Sequence, residues 1–124
     1  MNDFTILHNP RCSKSRQTLQ LLQDNNVQPK VVEYLKTPPS IAQLGNILSM
    51  LAMTDPRQLM RKSEPEYKVL NIASASISVD ELIRHMHLTP KLIERPIVIK
   101  GSLSDVHSTA VIGRPPENVL SLLC

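Results

Sequence analysis

Strand signals occur at only four places in this chain, two near each end, and helical periodicity fills the space between them. Phe4-Thr5-Ile6-Leu7 is a short apolar run, stopped by the loop His8-Asn9-Pro10-Arg11. A helix follows, with Cys12 or Ser13 in its first turn, Leu19, Leu21 and Leu22 on the buried side, and Gln17, Gln20 and Gln23 outside. Asp24-Asn25-Asn26 ends it. Lys30 to Leu35 reads as a second strand, broken by Thr37-Pro38-Pro39. Strand, helix and strand within residues 4–35 make a βαβ unit, whose strands run parallel with a right-handed crossover.

From Ser40 to Leu92 the pattern is helical. Ser40 is an N-cap before Ile41, Leu44, Ile47, Leu48 and Leu51, which recur at spacings of three and four. Asp55-Pro56 puts a proline at the first position of a helix carrying Arg57 to Arg61. Ser78-Val79-Asp80-Glu81 resembles a capping box ahead of Leu82, Ile83 and Met86. Strand signals return at Pro96 to Lys100 and, past a turn at Gly101, at Thr109 to Ile112, which suggests an antiparallel hairpin. Pro115-Pro116-Glu117 opens a last helix bearing Val119, Leu120, Leu122 and Leu123. The order is βαβ, helices, then ββα. Neither strand pair can bury its apolar faces alone, so one mixed four-stranded sheet covered by helices is expected. That is a thioredoxin-like (glutaredoxin-like) α/β arrangement with an inserted helical segment. All 124 residues form one domain, 1–124, with the insertion at approximately 40–92.

At 41% hydrophobic, the chain can build a core without disulfide or metal staples. Its net charge of +3 favours anionic ligands but does not by itself imply nucleic acid. Phe4, Tyr34 and Tyr67 are the only aromatic residues, which argues against stacking of single-stranded bases. No apolar run approaches the ~20 residues of a membrane span, and the first residues lack the pattern of a signal peptide. A soluble cytoplasmic protein is the expectation. Cys12 and Cys124 lie at opposite ends, and a reducing cytosol argues against their pairing. His8, His85, His87 and His107 are scattered without zinc-ligand spacing, so no metal is expected.

Cys12 lies where the first strand hands over to the first helix. Ligands of open α/β sheets collect beyond the carboxyl ends of strands. A helix N-terminus offers unpaired N–H groups and partial positive charge, which favour an anion and lower a thiol's pKa. Arg11, Lys14 and Arg16 push the same way, and His8 and Ser15 are close enough in sequence to donate hydrogen bonds to a thiolate. The other reading of Cys12 is a small buried cap residue. A dithiol oxidoreductase carries a second cysteine three positions on, where this chain has Ser15, so any redox cycle must borrow a thiol from outside. The spacing from Cys12 to Arg16 is shorter than in phosphatase loops, which also carry more glycine. Arg61, Arg95 and Arg114 can match a tetrahedral oxyanion, the last two beside prolines, although surface arginines are commonly just solvated.

Five blocks in this order resemble the glutaredoxin-dependent arsenate reductases: His8 to Arg16, Glu33 to Pro39, Leu59-Met60-Arg61-Lys62, Glu94 to Val98, and Gly113 to Glu117. The chain looks most like the family's short, chromosomal branch, which stops soon after the last helix. The resemblance implies that Cys12 attacks arsenate, that Arg61, Arg95 and Arg114 hold the oxyanion, and that His8 and Ser15 tune the thiolate. It implies a cis peptide before Pro96, glutathione as co-substrate, glutaredoxin as partner, no tightly bound cofactor, and a monomer that contacts neither nucleic acid nor membrane. Two alternatives share the fold. One is an Spx-like adaptor binding RNA polymerase or another protein, although such regulators usually carry the second cysteine. The other is a glutathione-linked thiol-transfer enzyme with a different substrate.

Overall fold

The computed structural model describes residues 3–123. Its strands are β1 (Phe4–Leu7), β2 (Lys30–Val32), β3 (Ile97–Lys100) and β4 (Thr109–Ile112), and its α-helices are α1 (Ser13–Asp24), α2 (Ile41–Met50), α3 (Pro65–Val69) and α4 (Val79–Leu88). The strands form one sheet in the order β2-β1-β3-β4. β1 runs parallel to β2, with Thr5 opposite Lys30 and Leu7 opposite Val32, and antiparallel to β3, with Leu7 opposite Ile97. β3 and β4 make the expected antiparallel pair, Ile97 opposite Ile112.

Central placement explains the unbroken apolar run of β1, since both of its faces are covered. Phe4 and Ile6 join Val98, Leu22, Val119 and Leu122 on the side of α1. Leu7 faces the other way, with Ile97 and Ile99, into a larger cluster with Leu44, Ile47, Leu59, Leu82, Met86 and Ile93 from the helical segment. Ser40 caps α2 with a complete box: its hydroxyl accepts from Gln43 N–H at 3.1 Å while the Gln43 side-chain Oε1 accepts from Ser40 N–H at 3.0 Å.

Four expectations need correction. β2 stops at Val32, because it is an edge strand with a neighbour on one side only; the chain then turns, Lys36 and Thr37 N–H both donating to the Glu33 carbonyl, and Tyr34 swings into the core. The segment after Asp55 is a 3₁₀ turn over Pro56–Leu59 that ends before Arg61. Met60 instead forms an antiparallel bridge with Ile93, and this outcompetes further helical turns. At Ser78 the hydroxyl caps Glu81 N–H, but the Glu81 carboxylate bonds that same hydroxyl at 3.2 Å and not the backbone, so the box is half formed. The last element, Pro116–Leu122, is a 3₁₀ helix packed on α1. The expectations for Cys124 lie outside the described residues.

Candidate active site

β1 delivers the chain to the site, and its ladder runs one residue beyond the strand: His8 N–H donates to the Val32 carbonyl at 2.8 Å. The loop then closes on itself. Arg11 N–H donates to the Asn9 side-chain carbonyl at 3.0 Å, and Cys12 N–H to the Asn9 backbone carbonyl at 3.0 Å. Cys12 becomes the extended N-cap of α1, half-buried, with φ −95° and ψ 123°. Below it Ser15 is fully enclosed, its hydroxyl accepting from Asn9 N–H at 3.0 Å and lying 3.0 Å from His8 Nδ1. Burial lowers the His8 pKa and Arg16 adds to this, against the opposing pull of Glu33. This contact ties the His8 ring to Ser15 and, with the Asn9 N–H on the same hydroxyl, locks the loop.

Burial pushes the Cys12 thiol up, but the opposing effects win and its pKa lies below the ordinary value. In order they are the Ser15 backbone N–H, the charge of Arg95, the Lys14 backbone N–H and a hydrogen bond from the Arg95 guanidinium. The cations next to Cys12 in sequence, expected to do this work, do not do it through their side chains. Arg11 and Lys14 are exposed, and Arg16 donates its Nη1 to the Pro10 carbonyl at 2.9 Å. Arg95, leading into the neighbouring strand β3, does it instead.

Two pairings bring Arg95 there. The β3–β4 register continues past its last rung, Gly113 N–H donating to the Pro96 carbonyl at 2.9 Å, which brings the Gly113–Arg114 segment against the Arg95–Pro96 peptide. Gly113 packs so tightly against Thr18 of α1 and against Pro96 that an added Cβ would lie 2.7 Å from Thr18 Oγ1 and 3.0 Å from Pro96 Cγ. The start of α1, the Arg95–Pro96 peptide and the Gly113–Arg114 peptide therefore meet. The peptides before Pro96 and Pro115 are both cis. The second pairing is the Met60–Ile93 bridge: Arg61 N–H donates to the Leu92 carbonyl and Glu94 N–H to the Leu59 carbonyl, each at 2.7 Å. It docks the insertion against the segment leading into β3.

Arg61 and Arg95 are held alike. Each gives Nη1 to a nearby carboxylate, Glu64 at 2.7 Å and Glu94 at 3.2 Å, and each side chain is under a fifth exposed. In both, Nε–H is buried without a partner. Tyr34, fully buried, has an unpartnered hydroxyl. Burial raises its pKa to about 12 against the pull of Arg95 and Arg61, with Cys12 and Glu94 adding to the rise. Arg114 differs. Its side chain is exposed, lines a hollow with Glu94, Gln58 and Glu117, and makes no hydrogen bond among the described residues. The structure thus places Cys12, Arg61 and Arg95 within electrostatic reach of Tyr34, sets Arg114 next to the Gly113 that packs on Pro96, and keeps His8 and Ser15 beneath the loop. Tyr34, Glu64 and Glu94 had not been singled out; Glu94 next to Arg95 and Glu64 three positions after Arg61 were the available signals.

Among the described residues no group of three or more His, Cys, Asp or Glu is arranged to hold a metal ion, and no helix is long and apolar enough to cross a membrane.

The family model for the ArsC family matches residues 7–122. The chain is 51% identical over 118 residues to the uncharacterized protein YfgD of Escherichia coli K12, an alignment covering 95% of this chain and 94% of that one. It is 44% identical over 118 residues to an arsenate reductase of Haemophilus influenzae, covering 95% and 97% of the two chains. Among solved structures, an arsenate reductase from Vibrio cholerae superposes with a TM-score of 0.89 at 42% identity, covering 97% of each chain. On the fold, on the order of its blocks and on these matches, the chain belongs to the ArsC family.

Proposed function

We propose that this chain is an arsenate reductase in which the Cys12 thiolate attacks arsenate while Arg61, Arg95 and Arg114 hold its oxygens. The observation that carries the reading is the contact of Arg95 with the Cys12 thiol while its buried Nε–H stays unpartnered. A guanidinium facing both nucleophile and anion offsets the repulsion between two negative species and orients arsenic for displacement. Attack forms a sulfur–arsenic bond and expels one arsenate oxygen as water. A glutathione thiol displaces a second oxygen. The thiol of glutaredoxin then attacks the glutathione sulfur, and the electron pair of the broken sulfur–arsenic bond stays on arsenic, taking it from As(V) to As(III). Hydrolysis returns arsenite and the Cys12 thiol. Both electrons come from outside thiols, in keeping with Ser15 standing where a resolving cysteine sits in dithiol enzymes.

Residues 1–124 act as one domain, with the insertion at approximately 40–92 supplying Arg61. Dependence on free reduced thiols suits the cytoplasm. The test is NADPH oxidation coupled through glutathione reductase, with arsenate, glutathione and glutaredoxin each omitted in turn. The rate is expected to need all three and to vanish in Cys12→Ser. Turnover that persists without arsenate would favour thiol transfer to another substrate; no turnover from a folded wild type would favour a binding role.

A further inference from the structure

We propose that the Tyr34 hydroxyl is a further oxyanion-binding group, donating a hydrogen bond to the anion that Arg61 and Arg95 hold against Cys12. The inference rests on the reading of that site as an arsenate site and adds a neutral donor to it. Two independent observations carry it. Tyr34 is wholly enclosed and its hydroxyl has no hydrogen-bond partner. A buried hydroxyl left unpaired costs stability, and phenylalanine would fill the same space without that cost. The second observation is the company it keeps. Cys12, Arg61, Arg95 and Glu94 all act electrostatically on the phenol, and the Nε–H groups of both arginines are buried without partners.

Three buried donors, Tyr34 Oη–H, Arg61 Nε–H and Arg95 Nε–H, therefore lack an acceptor, and the charges of both arginines reach the phenol. The sulfur of Cys12 is a poor candidate to serve them all, since it already takes the Ser15 and Lys14 N–H groups and a bond from Arg95. A tetrahedral oxyanion has enough lone pairs for every one of them. With its proton held up to about 12, the phenol stays a neutral donor throughout the pH range in which an enzyme works. It also does what a guanidinium cannot: it accepts, and so it can hold the protonated oxygen of a monohydrogen oxyanion.

Tyr34→Phe tests this. Without anion, the variant should melt at or above the wild-type temperature, and its Cys12 should alkylate with an unshifted pH profile. Sulfate, an unreactive probe, should shield wild-type Cys12 from iodoacetamide, and the variant should need roughly tenfold more of it, with a similar rise in KM for arsenate. Equal shielding in a wild type and variant that both reduce arsenate would overturn the Tyr34 inference and leave the reductase reading intact. A wild type that is neither shielded by sulfate nor able to reduce arsenate would overturn the reading beneath it. A lowered melt together with a raised thiol titration in the variant would assign the hydroxyl to packing and to the thiolate, and so overturn the inference as well.

Discussion

Arg95 combines two tasks that a lysine cannot combine. It lowers the Cys12 pKa by charge and by a hydrogen bond, and it keeps a second edge of its planar fork free while Glu94 occupies Nη1. Arg61 shares the second task, with Glu64 in the place of Glu94, but it does not figure among the groups acting on the thiol. The two arginines should therefore separate on substitution. Arg95→Lys and Arg61→Lys should each lower kcat/KM for arsenate by an amount equivalent to about 2–4 kcal/mol of transition-state stabilisation, since charge survives and the fork is lost. Only Arg95→Lys should also raise the apparent pKa of Cys12 alkylation. An unchanged thiol titration in Arg95→Lys would assign the activation of Cys12 to the retained charge and the two backbone N–H groups, with no part for the guanidinium hydrogen bond. Arg114 starts from an exposed position, so the same substitution there should leave the thiol titration as in Arg61→Lys.

Gly113 carries more of the site's geometry than its size suggests, because α1, β3 and β4 all converge on it. An alanine Cβ there would overlap Thr18 Oγ1 at 2.7 Å and Cγ2 at 2.9 Å, and Thr18 is buried with its hydroxyl bonded to the Lys14 carbonyl at 2.7 Å. Gly113→Ala should cost about 1–3 kcal/mol, as overpacking does, and should lower arsenate turnover because Arg95 and Arg114 flank the displaced strands. Adding Thr18→Ala should recover part of the loss, and an additive double mutant in thermal melts would rule out the clash as the cause. Such convergence explains what the sequence disclosed. β1, α1, α2, α4 and the β3–β4 pair were legible because their apolar spacing and their caps at Ser40 and Ser78 are local properties. Cys12 at a helix start and the presence of Arg61 and Arg95 were legible for the same reason. The end of β2 was not, since an edge strand has no second neighbour to hold Tyr34 in line. The setting of Arg61 depends on Met60 finding Ile93, and the activation of Cys12 on Arg95, pairings that no local pattern encodes. The contact between Ser15 and His8 was not legible either, because proximity in sequence does not say which side chains meet beneath the loop.

The site's two lowered pKa values, on His8 and on Cys12, also slope the stability of the folded chain with pH in one direction. His8 is buried in its neutral form, so between its folded pKa and the unfolded value near 6.5 the unfolded chain binds more protons. Stability from this group is complete above 6.5 and is lost as pH falls through the folded pKa. Cys12 behaves alike one window higher: its thiolate is favoured in the fold, so stability grows as pH rises through the folded pKa and is complete above the ordinary 9.0. The Glu66 carboxylate, held down by the hydrogen bond from Lys91, enters only in the acid range below its ordinary 4.5. Melting temperature should therefore climb with pH in two steps, one from each group. His8→Gln should remove the lower step, because an amide can accept from Ser15 without ever having to shed a proton. Cys12→Ser should remove the upper step and leave the lower one. If Cys12→Ser retains the full upper step, the thiolate is not what the fold stabilises there, and the activation of Cys12 by Arg95 fails with it. If His8→Gln retains the lower step, the ring beneath the loop is not held neutral.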